Sequence, residues 1–212
     1  FLKEPGGKKS SAIILKAPGN LFDYVRIGVL RTLKTAGKIK RFKYLLLFLL
    51  AFMIYNDAIQ TVIKMASIYG QQELKIPATF IMLTLLIIQF VAFGGALLFG
   101  WLAERISAKR ALLVSLALWS GVAIYGYYMS TPSEFLGLGA VVGIVMGGSQ
   151  ALSRSLYGAM IPAQASAEFY GFYSVFTKFS AIWGPALFGF IEHATGSARN
   201  AILSLVLFFV AG

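Results

Sequence analysis

From residue 44 onward the chain is a series of long apolar runs separated by short polar joints. The runs cover 44–70, 77–103, 111–129, 135–160 and 170–191, and a sixth begins near Ala201 and stops at Gly212. An α-helix needs about 20 residues to cross the hydrocarbon core of a bilayer. Five runs meet that length, and the sixth reads as a truncated span. The second run starts with Pro77 in its first turn, where the missing N–H costs nothing, and carries no charge up to Ala103. The joints are short, so neighbouring spans are expected to be antiparallel. The pattern predicts an all-α membrane protein, a polytopic bundle of transmembrane helices.

The first 43 residues follow a different rule. FLKEPGGKKSSAIILKAPGN has Pro and Gly punctuation and reads as loop. The sequence opens on Phe1 without Met and shows no signal-peptide pattern, so it is expected to start partway through a longer protein; Phe1 and Leu2 fit the tail of a preceding span. Asn20 has the character of an N-cap, and Asp23 three residues later completes a capping-box-like pair. The helix that follows places Leu21, Phe22, Val25, Val29 and Leu33 on one stripe, with Arg26, Arg31, Lys34 and Lys38 mostly off it. Such a basic amphipathic helix suits a surface of anionic lipid headgroups over residues 20–43. A linker helix packed on its own protein fits the same pattern.

Composition sharpens this picture. The 212 residues are 58% hydrophobic and 13% charged, whereas soluble domains are about one quarter charged. The net charge of +11 is concentrated in residues 1–43, which hold most of the lysine and arginine against only Glu4 and Asp23. That is a basic flank followed by apolar spans, as the positive-inside rule expects for a cytoplasmic segment. It is not the uniform basicity of a nucleic-acid binder. The first span then runs outward, and the loop ERISAKR at 104–110 falls inside with three basic residues. The absence of Cys excludes disulfides and thiolate metal sites, a single His excludes a histidine cluster, and no cofactor is expected.

The polar residues inside the spans carry the chemistry. A charge at the centre of a span costs about 2.5–3.5 kcal/mol on insertion scales, so it normally faces protein or water. With a step of about 100° per residue, Asn56, Asp57, Gln60, Thr61 and Lys64 fall in an arc of about 140° on the first span. Five polar groups on one stripe point to a cavity wall; structural glue between helices usually needs only one or two. In the fourth span, Gly139, Gly143 and Gly147 form a small-xxx-small repeat suited to close helix packing. Gln150, Arg154 and Tyr157 share a face with the last two. Arg154 reads either as a side chain snorkelling to the inner interface or as a contact for an anionic solute. In the fifth span Lys178 is surrounded by Gly171, Ser174, Ala181 and Pro185, which leaves room for water or a carboxylate, with Asp57 as a candidate partner. Gly184-Pro185 predicts a mid-helix kink. The third span has no ionisable group except tyrosine and reads as a lipid-facing helix.

The stretch GWLAERISAKR resembles the cytoplasmic loop signature of the major facilitator superfamily. Gly100, Leu102, Ala103, Arg105, Lys109 and Arg110 match it, Glu104 replaces the usual Asp, and Ser107 stands where a second glycine is expected. The Ser107 departure bears on the tight turn. YNDAIQTVIKMASIYG, GGSQALSRSLYGAMIP and EFYGFYSVFTKFSAIWGPALFGFIEHATGSAR are together similar to the vacuolar amino-acid effluxers linked to autophagy and their bacterial relatives, a family of that superfamily. The resemblance covers most of residues 44–212. It implies a twelve-helix major facilitator fold of two six-helix halves. Residues 1–43 would be the central cytoplasmic loop. Residues 44–212 would be the C-terminal six-helix half, its last helix truncated, with the N-terminal half missing. In that scheme helices seven and ten line the central cavity, eight and eleven meet the other half, and nine and twelve face lipid.

The expected function is secondary active transport of a small polar solute by alternating access between the halves. The resemblance implies amino acids as the solute. Asn56, Asp57, Gln60, Lys64, Gln150, Arg154 and Lys178 are the candidate substrate or ion pathway, with Asp57 the candidate for proton coupling. Gly100, Glu104, Arg105, Lys109 and Arg110 form the candidate conformational loop, since in the superfamily such charges lock the cytoplasmic helix ends together in one conformation. An enzyme is not expected: H-E-x-x-H and G-x-S-x-G are absent, and Ser149 and His193 fall near opposite membrane faces. The alternative is a non-transporting sensor or lipid-binding scaffold on a transporter fold. The membrane would be the plasma membrane in a bacterium and the vacuolar membrane in a fungus.

Overall fold

A computed structural model describes residues 43–162 and 166–212 of the chain. The amphipathic helix and capping pair expected before residue 43 lie outside these. Among the described residues the secondary structure is entirely helical. The helices are α1 (Lys43–Gln72), α2 (Ala78–Ile106), α3 (Ala108–Tyr128), α4 (Pro132–Met160), α5 (Ser166–Phe179), α6 (Trp183–Thr195), α7 (Ala198–Ser204) and α8 (Val206–Ala211). α1 to α4 are each long and apolar enough to cross a membrane. α5 and α6 together form a fifth such segment, Ser166–Thr195, broken in its middle.

Local chemistry explains several of the ends. α4 starts at a capping box. Thr131 Oγ1 accepts from the Glu134 N–H, and Glu134 Oε2 accepts from the Thr131 N–H. Pro132 follows in the first turn, so two otherwise orphaned donors are satisfied and a third position has none to satisfy. α2 and α3 are separated by one residue, Ser107, at φ 87° and ψ 148°. That backbone region is essentially reserved for glycine. The turn therefore forms in its tight shape even though serine stands where the loop signature expects glycine. Beside it the Arg105 guanidinium lies 5.0 Å from the Trp101 ring, within cation–π range.

The closest packing is between α2 and α4. A Cβ on Gly143 would stand 2.9 Å from the Ile88 carbonyl oxygen, and one on Gly147 would collide with the Ala92 carbonyl. From the opposite side, a Cβ on Gly95 would run into the Ile144 backbone. The glycine repeat thus brings two backbones into direct contact. α3 lies against α4, α7 and α8, with Trp119 fully buried and stacked on Phe209. Its other face exposes Leu113, Leu118 and Tyr125. α2 exposes Met82, Phe90, Phe93, Leu97 and Trp101 along one side. Water does not suit such apolar faces; lipid or a further layer of helices does. At one end of the bundle, Arg199 of α7 reaches Glu73 Oε2 at 3.4 Å and donates to the Tyr127 carbonyl at 2.8 Å. That contact ties the ends of α1, α3 and α7.

Candidate functional site

A cleft of about 220 Å³ opens between α1, α4 and α5. Its walls mix aromatic and polar groups: Phe52, Tyr55, Asn56, Ile59 and Gln60 from α1, Ser149, Gln150, Ser153 and Arg154 from α4, and Tyr173 and Thr177 from α5. Four of the sequence-predicted pathway residues meet here, Asn56, Gln60, Gln150 and Arg154. Gln150 and Arg154 are exposed, so their polar ends are available. The floor is a hydrogen-bonded chain. Tyr55 Oη and Ser153 Oγ are 2.7 Å apart, Ser153 donates to the Ser149 carbonyl at 2.6 Å, and Trp119 Nε1 donates to Ser149 Oγ at 3.3 Å. The aromatic wall is packed equally firmly. The Tyr173 ring lies 4.6 Å from Phe52 and 4.8 Å from Tyr157. Tyr157 is fully buried, and its hydroxyl donates to the Phe169 carbonyl at 2.7 Å.

Sequence reasoning did not single out Tyr55, Ser153, Tyr173 or Thr177, and it weighed Ser149 only as a nucleophile beside His193, a role it set aside. A partial signal was present: Ser149 and Ser153 sit one turn apart, each directly before Gln150 and Arg154, so the pairs share a side of the helix. The face drawn through Gly143, Gly147, Gln150 and Arg154 divides. The glycines press on α2, while the two polar residues turn to the cleft.

The polar stripe on α1 also divides. Asp57 and Thr61 are buried beside the α5–α6 break, away from the cleft. The break itself spans Ser180 to Ile182, just before the expected Gly184-Pro185 kink. The reason is local. Proline has no N–H to offer the carbonyl four residues back, and its ring clashes there. The Ala181 carbonyl is that group, and Lys64 Nζ donates to it at 3.2 Å. On the other side of the break the Gly184 N–H has lost its helical partner and donates to Asp57 Oδ2 at 2.7 Å. Asn56 Nδ2 donates to Ser180 Oγ between the two. Each charge matches its helix end: a carboxylate at the start of α6 and an ammonium at the finish of α5. Only glycine fits at 184, because a Cβ there would collide with Thr61 Oγ1. Asp57 does not pair with Lys178, which is exposed on α5. Asp57 Oδ1 is buried and has no hydrogen-bond partner among the described residues.

Gly100, Glu104, Arg105, Lys109 and Arg110 lie around the α2–α3 turn, apart from the cleft, with the four charged side chains exposed. A second cavity, about 70 Å³ between α1, α2, α3, α4 and α7, is lined almost wholly by apolar side chains such as Ile88, Val142 and Met146. Its walls offer a polar solute little to bind, and it reads as a packing gap.

Residues 2–212 match the family described as "Vacuole effluxer Atg22 like". An uncharacterized MFS-type transporter, YxiO, of Bacillus subtilis is 37% identical over 179 residues, covering 84% of this chain and 42% of its own. Autophagy-related protein 22-1 of Neosartorya fischeri is 30% identical over 189 residues, covering 82% of this chain and 31% of its own. The corresponding protein of Aspergillus clavatus is 28% identical over 195 residues, with 85% and 32% covered. The chain thus spans less than half the length of these curated relatives. No solved structure matches it.

Proposed function

The chain belongs to the family of Atg22-like vacuole effluxers, and on that premise we propose that it is the solute-binding half of a secondary active transporter. It is a multi-pass membrane protein, its family is described as effluxers, and one relative, YxiO, is named as an MFS-type transporter. The half is read as the C-terminal one, with residues 1–43 as the cytoplasmic loop joining it to the other. The observation that carries the proposal is the polar, aromatic-walled cleft between α1, α4 and α5. Amides and a guanidinium within a membrane span suit a water-filled path that receives a polar guest better than they suit lipid. Alternating access then comes from movement of the two halves about this cleft.

The solute assigned to it is an amino acid. Arg154 serves the carboxylate, Asn56, Gln60 and Gln150 serve as hydrogen-bonding groups, and Tyr55, Phe52 and Tyr173 offer the side chain a partly apolar wall. Protons are the assigned coupling ion, with Asp57 the group that carries them.

The test is efflux of a radiolabelled amino-acid mixture from liposomes containing the full-length protein, with and without a pH gradient. Removing a charge-assisted hydrogen bond costs about 1.5–3 kcal/mol, so Arg154→Ala should weaken half-saturation about tenfold or more. Absence of flux for every amino acid would overturn the reading. Flux with unchanged half-saturation in Arg154→Ala would remove Arg154 from the site.

A further inference from the structure

We propose that the α5–α6 break is a hinge latched by α1, and that the proton site at Asp57 operates the latch without touching solute. The inference rests on the transporter reading only for its use in transport. Its basis is geometric. Asp57 is 2% exposed, and one of its oxygens is spent on the Gly184 N–H while the other is buried and has no partner among the described residues. A buried carboxylate oxygen with no donor is costly to keep charged and is an open seat for a proton. When the proton is absent, the negative charge faces the amide end of α6 and holds it against α1. When the proton arrives on Oδ1, that charge is lost, and with it most of the attraction for the Gly184 N–H and for the positive end of the α6 dipole. The proton comes from water and returns to it; no covalent bond other than O–H forms or breaks.

Among the described residues, the other charged groups on the neighbouring helices are exposed or engaged elsewhere. On α1 itself Lys64 faces the same break and caps the α5 end. On α5, Lys178 is exposed and Tyr173 faces the cleft. On α4, Arg154 lies in the cleft. α6 has no ionisable side chain before Glu192, about two turns beyond Gly184; the charged residues of α2 and α3 cluster around Ser107, and Arg199 of α7 is engaged with Glu73 and the Tyr127 carbonyl. Among the described residues α5 packs chiefly on α1, and α4 holds it mainly through Tyr157, which meets the Phe169 carbonyl and the Tyr173 ring near the far end of α5 from the break.

Gly171 on α5 and Gly189 on α6 flank the break, and a Cβ at either meets open space. This chain has no cysteine, so Gly171→Cys and Gly189→Cys provide spin-label sites in the full-length protein once cysteines elsewhere are replaced. Label–label distances are measured in lipid nanodiscs without solute at about pH 5 and about pH 8, a range over which a membrane carboxylate can change charge. The expected result is a distance distribution that shifts between the two conditions. In Asp57→Asn the low-pH distribution should appear at both, and Lys178→Ala should shift as the parent does. Asp57→Ser, a neutral cap, carries the same expectation as Asp57→Asn where that variant does not fold. A parent distribution independent of pH overturns the proposal. So does a shift that survives at a neutral residue 57, or one abolished by Lys178→Ala. Because neither solute nor flux enters the measurement, failure of the hinge and failure of the transport assignment are separate results.

Discussion

Two glycines in the same bundle should respond in opposite ways to one added methyl group. At Gly147 a Cβ would collide with the Ala92 carbonyl oxygen, with the carbonyl carbon at 2.7 Å and the Cα at 3.0 Å. All three are backbone atoms, so no rotamer change relieves them, and α2 and α4 must separate along the seam that carries the closest helix contact in the structure. Overpacking of this kind costs about 1–3 kcal/mol. Against it stands the gain of alanine over glycine in a helix, about 0.8–1.0 kcal/mol. The net expectation for Gly147→Ala is a loss of up to about 2 kcal/mol, equivalent to as much as about 8 °C in melting temperature for a domain of this size. At Gly121 on α3 a Cβ meets nothing within 4 Å, so Gly121→Ala keeps only the propensity gain and should melt at or slightly above the parent temperature. Thermal unfolding of purified full-length protein in one detergent, read by tryptophan fluorescence, makes the comparison. Equal melting temperatures for the two variants, or a lower one for Gly121→Ala, would refute the backbone-contact argument.

Two further expectations concern the ends of the helices. Ser107→Gly removes a serine from a backbone region that costs it about 1–3 kcal/mol, offset in part by the greater freedom of glycine in the unfolded chain. A net gain of about 1 kcal/mol is expected in the same melting assay, and a loss would show that the Ser107 side chain supports the turn. Arg199→Ala should cost about 1–2 kcal/mol, because it removes a charge-assisted bond to the Tyr127 carbonyl as well as the partly exposed pair with Glu73. Glu73→Ala should cost less, and equal losses from both would place the energy in the ion pair alone.

The helical architecture was legible because lipid leaves a chain few choices. Every backbone group must be satisfied within the span, so an apolar run of sufficient length is a helix. The polar side of α1 was legible too as one arc from Asn56 to Lys64, although the fold divides that arc between the cleft and the α5–α6 break. Its neighbours were not, since periodicity gives the direction a side chain takes but not what it meets. Asp57 has two lysines within the sequence pattern's reach, yet its partner is a backbone amide exposed by a proline one residue further on. The kink was expected at Gly184-Pro185 and the break lies at 180–182, because proline disrupts the turn that precedes it. Tyr55 and Ser153 escaped notice, and Ser149 was weighed only against His193, for a different reason. Hydroxyl groups occur singly along any span, and only the fold shows that these three form one chain.

The two kinds of helix contact in this half differ in what can undo them. The α2–α4 seam is backbone against backbone, and its strength lies in the absence of side chains at Gly95, Gly143 and Gly147. No change in pH or solute occupancy alters a missing Cβ, so this pair is suited to move as one rigid body. The α5–α6 segment is the reverse. Its backbone is interrupted, and its loose ends are held by Asn56, Asp57 and Lys64, groups that exchange partners or charge at modest cost. Tyr173 and Thr177, which wall the cleft, sit on α5 within two turns of that interruption. Under the proposed latch, a rotation at the break would displace this wall while Gln150 and Arg154, on the α2–α4 pair, stay in place. If the proposed latch operates, the cleft changes shape from one side only, and the energy that drives the change enters through a carboxylate that never meets the solute.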